Sequence, residues 1–89
     1  VHFEFDRTKS AANKAKHGID FVEAQVLWDS AVVEGEARAK DGEVRGFAIG
    51  KIGDKVWIAI FTRRGDAGNV IRLISVRRAT PKEQVFYGK

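Results

Sequence analysis

The chain has no cysteine, a single proline and only two histidines, His2 and His17, well apart. Without thiols there is no disulfide framework and no thiolate nucleophile, and nothing marks the chain as secreted. Two isolated histidines without cysteine offer no spacing suited to a transition-metal site, so neither a metal nor another cofactor is expected. No apolar run reaches the length of a membrane span, and the opening Val1-His2-Phe3-Glu4 does not read as a signal peptide. A cytoplasmic protein with no membrane contact is the expectation.

What the chain does have is material for one core. At 89 residues it reads as a single domain, 1–89, able to bury roughly two-thirds of its unfolded surface. With 44% hydrophobic residues, disorder is not expected. Its charge is unevenly placed. Residues 61–89 hold Arg63, Arg64, Arg72, Arg77, Arg78, Lys82 and Lys89 against Asp66 and Glu83, a net of +5, whereas residues 1–60 carry a net of −1. Five of those seven cations are arginines, whose planar fork matches phosphate oxygens and whose charge does not titrate. Such a cluster is a footprint for a polyanion such as nucleic acid; the plainer reading is a solvated basic face.

The pattern of residues predicts the order β-α-α-β-β-β-β-α. Phe3 and Phe5 alternate around Glu4 as a short strand, and Asp6 caps a helix over Arg7 to Lys16 that Gly18 ends. Asp20 and Glu23 repeat the start signal, and Phe21, Ala24, Leu27 and Trp28 give a second helix its apolar face. Strands are expected over Ala31 to Gly35, Val44 to Ile52, Val56 to Thr62 and Val70 to Val76, with Gly53-Asp54 as a hairpin turn. Thr80-Pro81-Lys82-Glu83 is a capping box with proline at the first helical position, starting a last helix that runs toward Tyr87. Strands gathered after helices predict an α+β fold: a compact antiparallel sheet with two N-terminal helices and one C-terminal helix packed on it.

Several residues are candidates for chemistry. Lys9, Asn13 and Lys16 form one polar stripe on the first helix, and His17 follows at its C-terminal end, where the macrodipole favours imidazolium. The plainer reading of His17 is a companion to the helix cap. Arg72 sits within an apolar strand and must either pair with an acid, for which Glu83 is a candidate, or open onto a cleft. Arg64, Arg77 and Arg78 are expected near one end of the same sheet, where such a set can hold a phosphodiester, and of the adjacent pair Arg77 and Arg78 one is expected to be a solvated connector. Tyr87 either stacks on a base or covers the sheet. The glycines Gly46, Gly50 and Gly53 do not make a phosphate loop, because the spacing is one residue short and Ile52 stands where Ser or Thr is needed.

Taken together, these residues resemble a known family. Phe5-Asp6-x-x-Lys9-x-x-x-Asn13-x-x-Lys16-His17-Gly18-Ile19-x-Phe21-x-Glu23-Ala24 is similar to the opening of the BrnT-type toxins. Arg45-x-x-x-Ile49-Gly50, Phe61-Thr62-x-Arg64, Ile71-Arg72-x-Ile74-Ser75-x-Arg77-Arg78-Ala79 and Lys82-Glu83 continue the pattern. Phe5 departs from it, since the family usually has Trp there. The resemblance implies a RelE-like ribonuclease fold and a type II toxin that cleaves RNA without a metal and so inhibits translation. It also implies neutralisation by a BrnA-type antitoxin, with operator DNA contacted only through the antitoxin complex. Of the matching positions, His17, Arg64, Arg72 and Arg77 are the catalytic candidates. Lys9, Arg78, Lys82 and Tyr87 are the candidates for binding RNA. The alternative is a non-catalytic basic module that docks nucleic acid or an acidic protein partner.

Overall fold

A computed structural model of the chain describes residues 2–29, 32–38 and 44–88. Their order is β1 (His2–Glu4), α1 (Arg7–His17), a 3-10 helix (Glu23–Asp29), β2 (Val33–Arg38), β3 (Val44–Ile52), β4 (Lys55–Arg64), a 3-10 turn (Asp66–Gly68), β5 (Val70–Arg78) and α2 (Pro81–Tyr87). The expected succession of strands and helices is found, with a 3-10 helix in place of the expected second α-helix. Ala31, where the sequence places the start of the second strand, and Lys89 of the basic cluster lie outside the described residues.

Local signals account for the boundaries. The Asp6 carboxylate accepts the backbone N–H groups of Thr8 and Lys9, at 2.8 and 3.1 Å, which starts α1 and holds the Asp6 pKa below its usual value. Gly18 ends α1 at φ +81°, a left-handed conformation that glycine adopts without a Cβ clash. Thr80 and Glu83 form the expected reciprocal capping box ahead of α2. The reciprocal pair Asp20–Glu23 also forms, but it precedes a 3-10 helix rather than the expected α-helix. The spacing explains the change: Phe21, Ala24 and Leu27 recur every third residue, and a 3-10 turn stacks such residues on one line. All three are fully buried.

The sheet runs β1-β5-β4-β3-β2. It is not wholly antiparallel as expected, because β1 pairs with β5 in parallel, through His2–Val70, Phe3–Ile71 and Glu4–Arg72. The other three pairings are antiparallel. One face carries Ala48, Ala59, Phe61, Leu73 and Val76, and Ile19, Phe21, Ala24 and Leu27 close over it as the core. Burying the larger of these side chains, such as Phe21, Leu27, Phe61 and Leu73, stabilises the fold by about 1.5–3 kcal/mol each. On that face Gly46 lies directly over Phe61; a Cβ there would sit 2.6 Å from the ring.

The edge of β5 beyond its short pairing with β1 is sealed by a side chain. Asn13 of α1 donates Nδ2 to the carbonyls of Val76 and Ile19, both at 2.8 Å, and its Oδ1 accepts the Val76 N–H at 3.2 Å. Asn13 is therefore buried at 7% exposure and does not belong to the solvent-facing stripe expected with Lys9 and Lys16. Ser10, one turn earlier, accepts the Phe21 N–H and is buried as well.

Candidate functional site

The face of the sheet opposite the core carries the arginines. In β4 the residues Ile58, Ile60 and Thr62 point to it, and across the ladder they pair with Arg77, Ser75 and Arg72 of β5. Arg72 and Arg77 are five positions apart, an odd number that in a regular strand puts two side chains on opposite faces. The ladder is shifted between Ile60 and Phe61, where Ile74 is left as an extra residue in β5. That bulge reverses the parity and brings both arginines to one side. Arg78, adjacent to Arg77, consequently turns to the other face, with its guanidinium 5.6 Å from the Trp57 ring centre. The two neighbours thus point to opposite faces, but both lie within β5 and neither is the solvated connector expected.

The cations on this face do not gather at one end of the sheet as expected but form two groups about 15 Å apart, from about 3.3 Å per strand residue. In the first, Arg72 donates Nη1 to Oε1 of Glu4 at 3.2 Å, and Arg64 brings Nε to 3.8 Å from the same oxygen. Arg72 keeps 34% of its side chain exposed and Glu4 42%, so the group is open to solvent. In the second, Arg77 makes a two-pronged pair with Glu83, at 2.8 and 3.0 Å, and also reaches the Arg78 carbonyl. Glu83 is thus the partner of Arg77 and not of Arg72, whose acid is Glu4, 68 positions away in sequence. The Arg77 guanidinium, followed by the Thr80 N–H, pulls the Glu83 pKa down to about 2, and Glu83 in turn raises that of Arg77.

Between the second group and the middle of the sheet lies an open apolar groove of about 440 Å³. Phe47, Ile58 and Ile60 form its floor, Phe86 of α2 one wall, and Arg77 and Lys82 its cationic rim. Phe86 stands edge-on to Phe47, with ring centres 6.4 Å apart. A second hollow of about 510 Å³ lies over Gly46 and Phe61, but Glu34 and Glu36 line it, and Arg63 there is already paired with Glu34 at 2.6 Å. Two carboxylates make it a poor seat for a polyanion.

The remaining candidates lie on the helices. Asp6, just ahead of α1, feels the charge of Arg72, whereas Asn13 is tied to Val76. The helix therefore runs alongside β5 in the same direction, with exposed Lys9 toward the Arg72 end. Half-buried His17, one turn beyond Asn13, lies toward the Arg77–Arg78 end. Tyr87 is half-buried in the last turn of α2. Sequence reasoning missed Glu4. Its only local signal is that it alternates with Phe3 and Phe5; its meaning comes from pairing with a strand at the other end of the chain. Among the described residues no cluster of three or more His, Cys, Asp or Glu is placed to hold a metal, and no helix is long and apolar enough to cross a membrane.

Comparison with known proteins gives two findings. Residues 5–83 match the family described as the ribonuclease toxin BrnT of type II toxin–antitoxin systems. The fold is similar to the crystal structure of the Brucella abortus ribonuclease toxin BrnT, at 26% sequence identity and a TM-score of 0.60. That match covers 90% of this chain and 99% of the other. No curated protein matches the chain significantly.

Proposed function

The chain belongs to the BrnT family of ribonuclease toxins of type II toxin–antitoxin systems, and from that membership we propose that it is an endoribonuclease that cuts RNA without a metal and thereby inhibits translation. The observation that carries the proposal is the convergence of Arg64 and Arg72 on an exposed sheet face, each keeping donors free of Glu4. A phosphodiester laid there meets two permanent positive charges, the arrangement needed to stabilise the extra negative charge of a phosphorane-like transition state. RNA's own 2′-hydroxyl serves as the nucleophile, so the protein has only to move protons and neutralise charge.

The roles follow the two groups. Arg64 and Arg72 bind and neutralise one phosphate, with Lys9 positioning the strand nearby. Arg77 and Lys82 extend the cationic track, with Tyr87 as a further RNA contact at that end, whereas Arg78, the remaining candidate for binding RNA, would meet it only from the other face beside Trp57. His17, toward the Arg77–Arg78 end, is the candidate for proton transfer that the sequence offers. The fold is, on this reading, a RelE-like one working in the cytoplasm. A BrnA-type antitoxin neutralises the toxin, and operator DNA is contacted only by their complex.

The test is cleavage of a defined single-stranded RNA in excess EDTA, with Arg72→Ala in parallel. Cutting by the parent, reduced about 100-fold or more in the mutant, is the expected result. Failure of the parent to cut either naked RNA or RNA on translating ribosomes would leave a basic binding module instead.

A further inference from the structure

Two carboxylates lie among the cations of this face, Glu4 and Glu83, and they are in opposite states. Glu83 is saturated: its oxygens take two bonds from Arg77 and one from the Thr80 N–H. It cannot accept a proton from a substrate without giving up the pair that anchors α2 to the sheet. Glu4 is held on one side only. Both of its cationic contacts, Arg72 at 3.2 Å and Arg64 at 3.8 Å, fall on Oε1. Oε2 has no partner among the described residues, on a side chain 42% exposed. β1 is paired to β5 at Glu4–Arg72, so the carboxylate is anchored by backbone register and not by a mobile loop.

Resting on the ribonuclease reading above, we propose that Glu4 is a catalytic residue, the base that takes the 2′-hydroxyl proton of an RNA nucleotide whose phosphate is held by Arg64 and Arg72. Oε2 accepts the proton, and the electron pair left on the 2′ oxygen forms a bond to the adjacent phosphorus. The bond from phosphorus to the 5′ oxygen breaks, and that oxygen takes a proton from solvent. The products are a 2′,3′-cyclic phosphate and a 5′-hydroxyl, and the proton on Glu4 returns to solvent. The arginines hold Oε1 in place and neutralise the phosphate oxygens as charge builds on them. This puts the cut at the Arg64–Arg72 end, about 15 Å along β5 from the end that His17 approaches.

The experiment is single-turnover cleavage of the defined RNA in EDTA over a range of pH, for the parent, Glu4→Gln, Glu4→Ala and His17→Ala. The charged and titratable groups near Glu4 are Arg72 of β5 and Arg64 of β4, His2 two positions back on the same face of β1, and Asp6 ahead of α1 next to Arg72. A base must be deprotonated to act, so the parent rate should fall at acid pH. Glu4→Gln keeps the size and the Oε1 acceptor, and should lose about 100-fold or more in rate together with that acidic limb. Added acetate should restore part of the activity of Glu4→Ala, and His17→Ala should keep the limb. A purely structural Glu4 would give a Glu4→Gln rate within a few-fold of the parent, or a lower rate with the acidic limb intact; either result overturns the proposal. Loss of the limb in His17→Ala instead would assign the base to the histidine. A parent that cuts no RNA, naked or on ribosomes, overturns the ribonuclease reading itself and this proposal with it.

Discussion

Replacing Asn13 by alanine should be among the most damaging single changes available to this fold outside the apolar core. The side chain satisfies three backbone groups: the Val76 N–H, the Val76 carbonyl and the Ile19 carbonyl. Alanine at this position orphans all three in a region where Asn13 itself is 7% exposed. A buried backbone group without a partner costs about 1–3 kcal/mol. Partial entry of water, and the better helix propensity of alanine by about 0.6 kcal/mol, reduce the total. The net loss is about 3–4 kcal/mol, against a whole stability on the order of 4–13 kcal/mol at about 0.05–0.15 kcal/mol per residue. Urea unfolding should show a lower midpoint with an unchanged slope, and the melting temperature should fall by more than about 12 °C. Asn13→Asp should be at least as harmful, since it aims a carboxylate at two carbonyl oxygens. A loss below about 1 kcal/mol for Asn13→Ala would refute the reasoning, because the open edge of β5 would then be sealed as well by water.

Further outcomes follow from other residues. Glu83 has its pKa lowered to about 2 from 4.5 by Arg77. A depressed acid stabilises the fold above its unfolded pKa and loses that contribution as pH falls through the folded one, so stability should decline between about pH 4.5 and about 2. The Arg77 side chain is 38% exposed, so screening leaves about 1 kcal/mol, which urea titrations of the parent and Glu83→Gln at neutral and acid pH should resolve. Gly46→Ala puts a Cβ 2.6 Å from the buried Phe61 ring and should cost about 1–3 kcal/mol in a thermal melt. Arg72→Ala and Glu4→Gln should each abolish most RNA cleavage while leaving the far-ultraviolet circular dichroism of the parent.

Signals confined to a few residues were legible in the sequence. The Asp6 and Thr80 caps, the Gly18 stop, the Gly53-Asp54 hairpin and the bounds of β3 could be placed because each depends on neighbours along the chain. What stayed hidden depends on distant partners. Nothing local says that β1 joins β5 in parallel, so the sheet reads as antiparallel and Arg72 appears to need Glu83. The bulge at Ile74 has no sequence mark either, yet it decides which of Arg77 and Arg78 faces the groove. Asn13 looked like a surface residue because its spacing with two lysines is helical; a polar side chain that replaces a missing strand neighbour carries the same spacing. For the basic third, charge alone offers a polyanion footprint and a solvated basic face equally. That charge could not reveal that its cations divide into an open pair and a closed one.

The parallel pairing of β1 with β5 also sets an order in time. Glu4 is synthesised well before Arg72, and the register joining them closes a loop of 67 intervening residues. Closing so long a loop is entropically costly and is deferred until the intervening strands can reward it. A partly synthesised chain therefore lacks the arrangement of Glu4, Arg64 and Arg72 altogether. That arrangement comes into being only once the strand that completes it is free to pair.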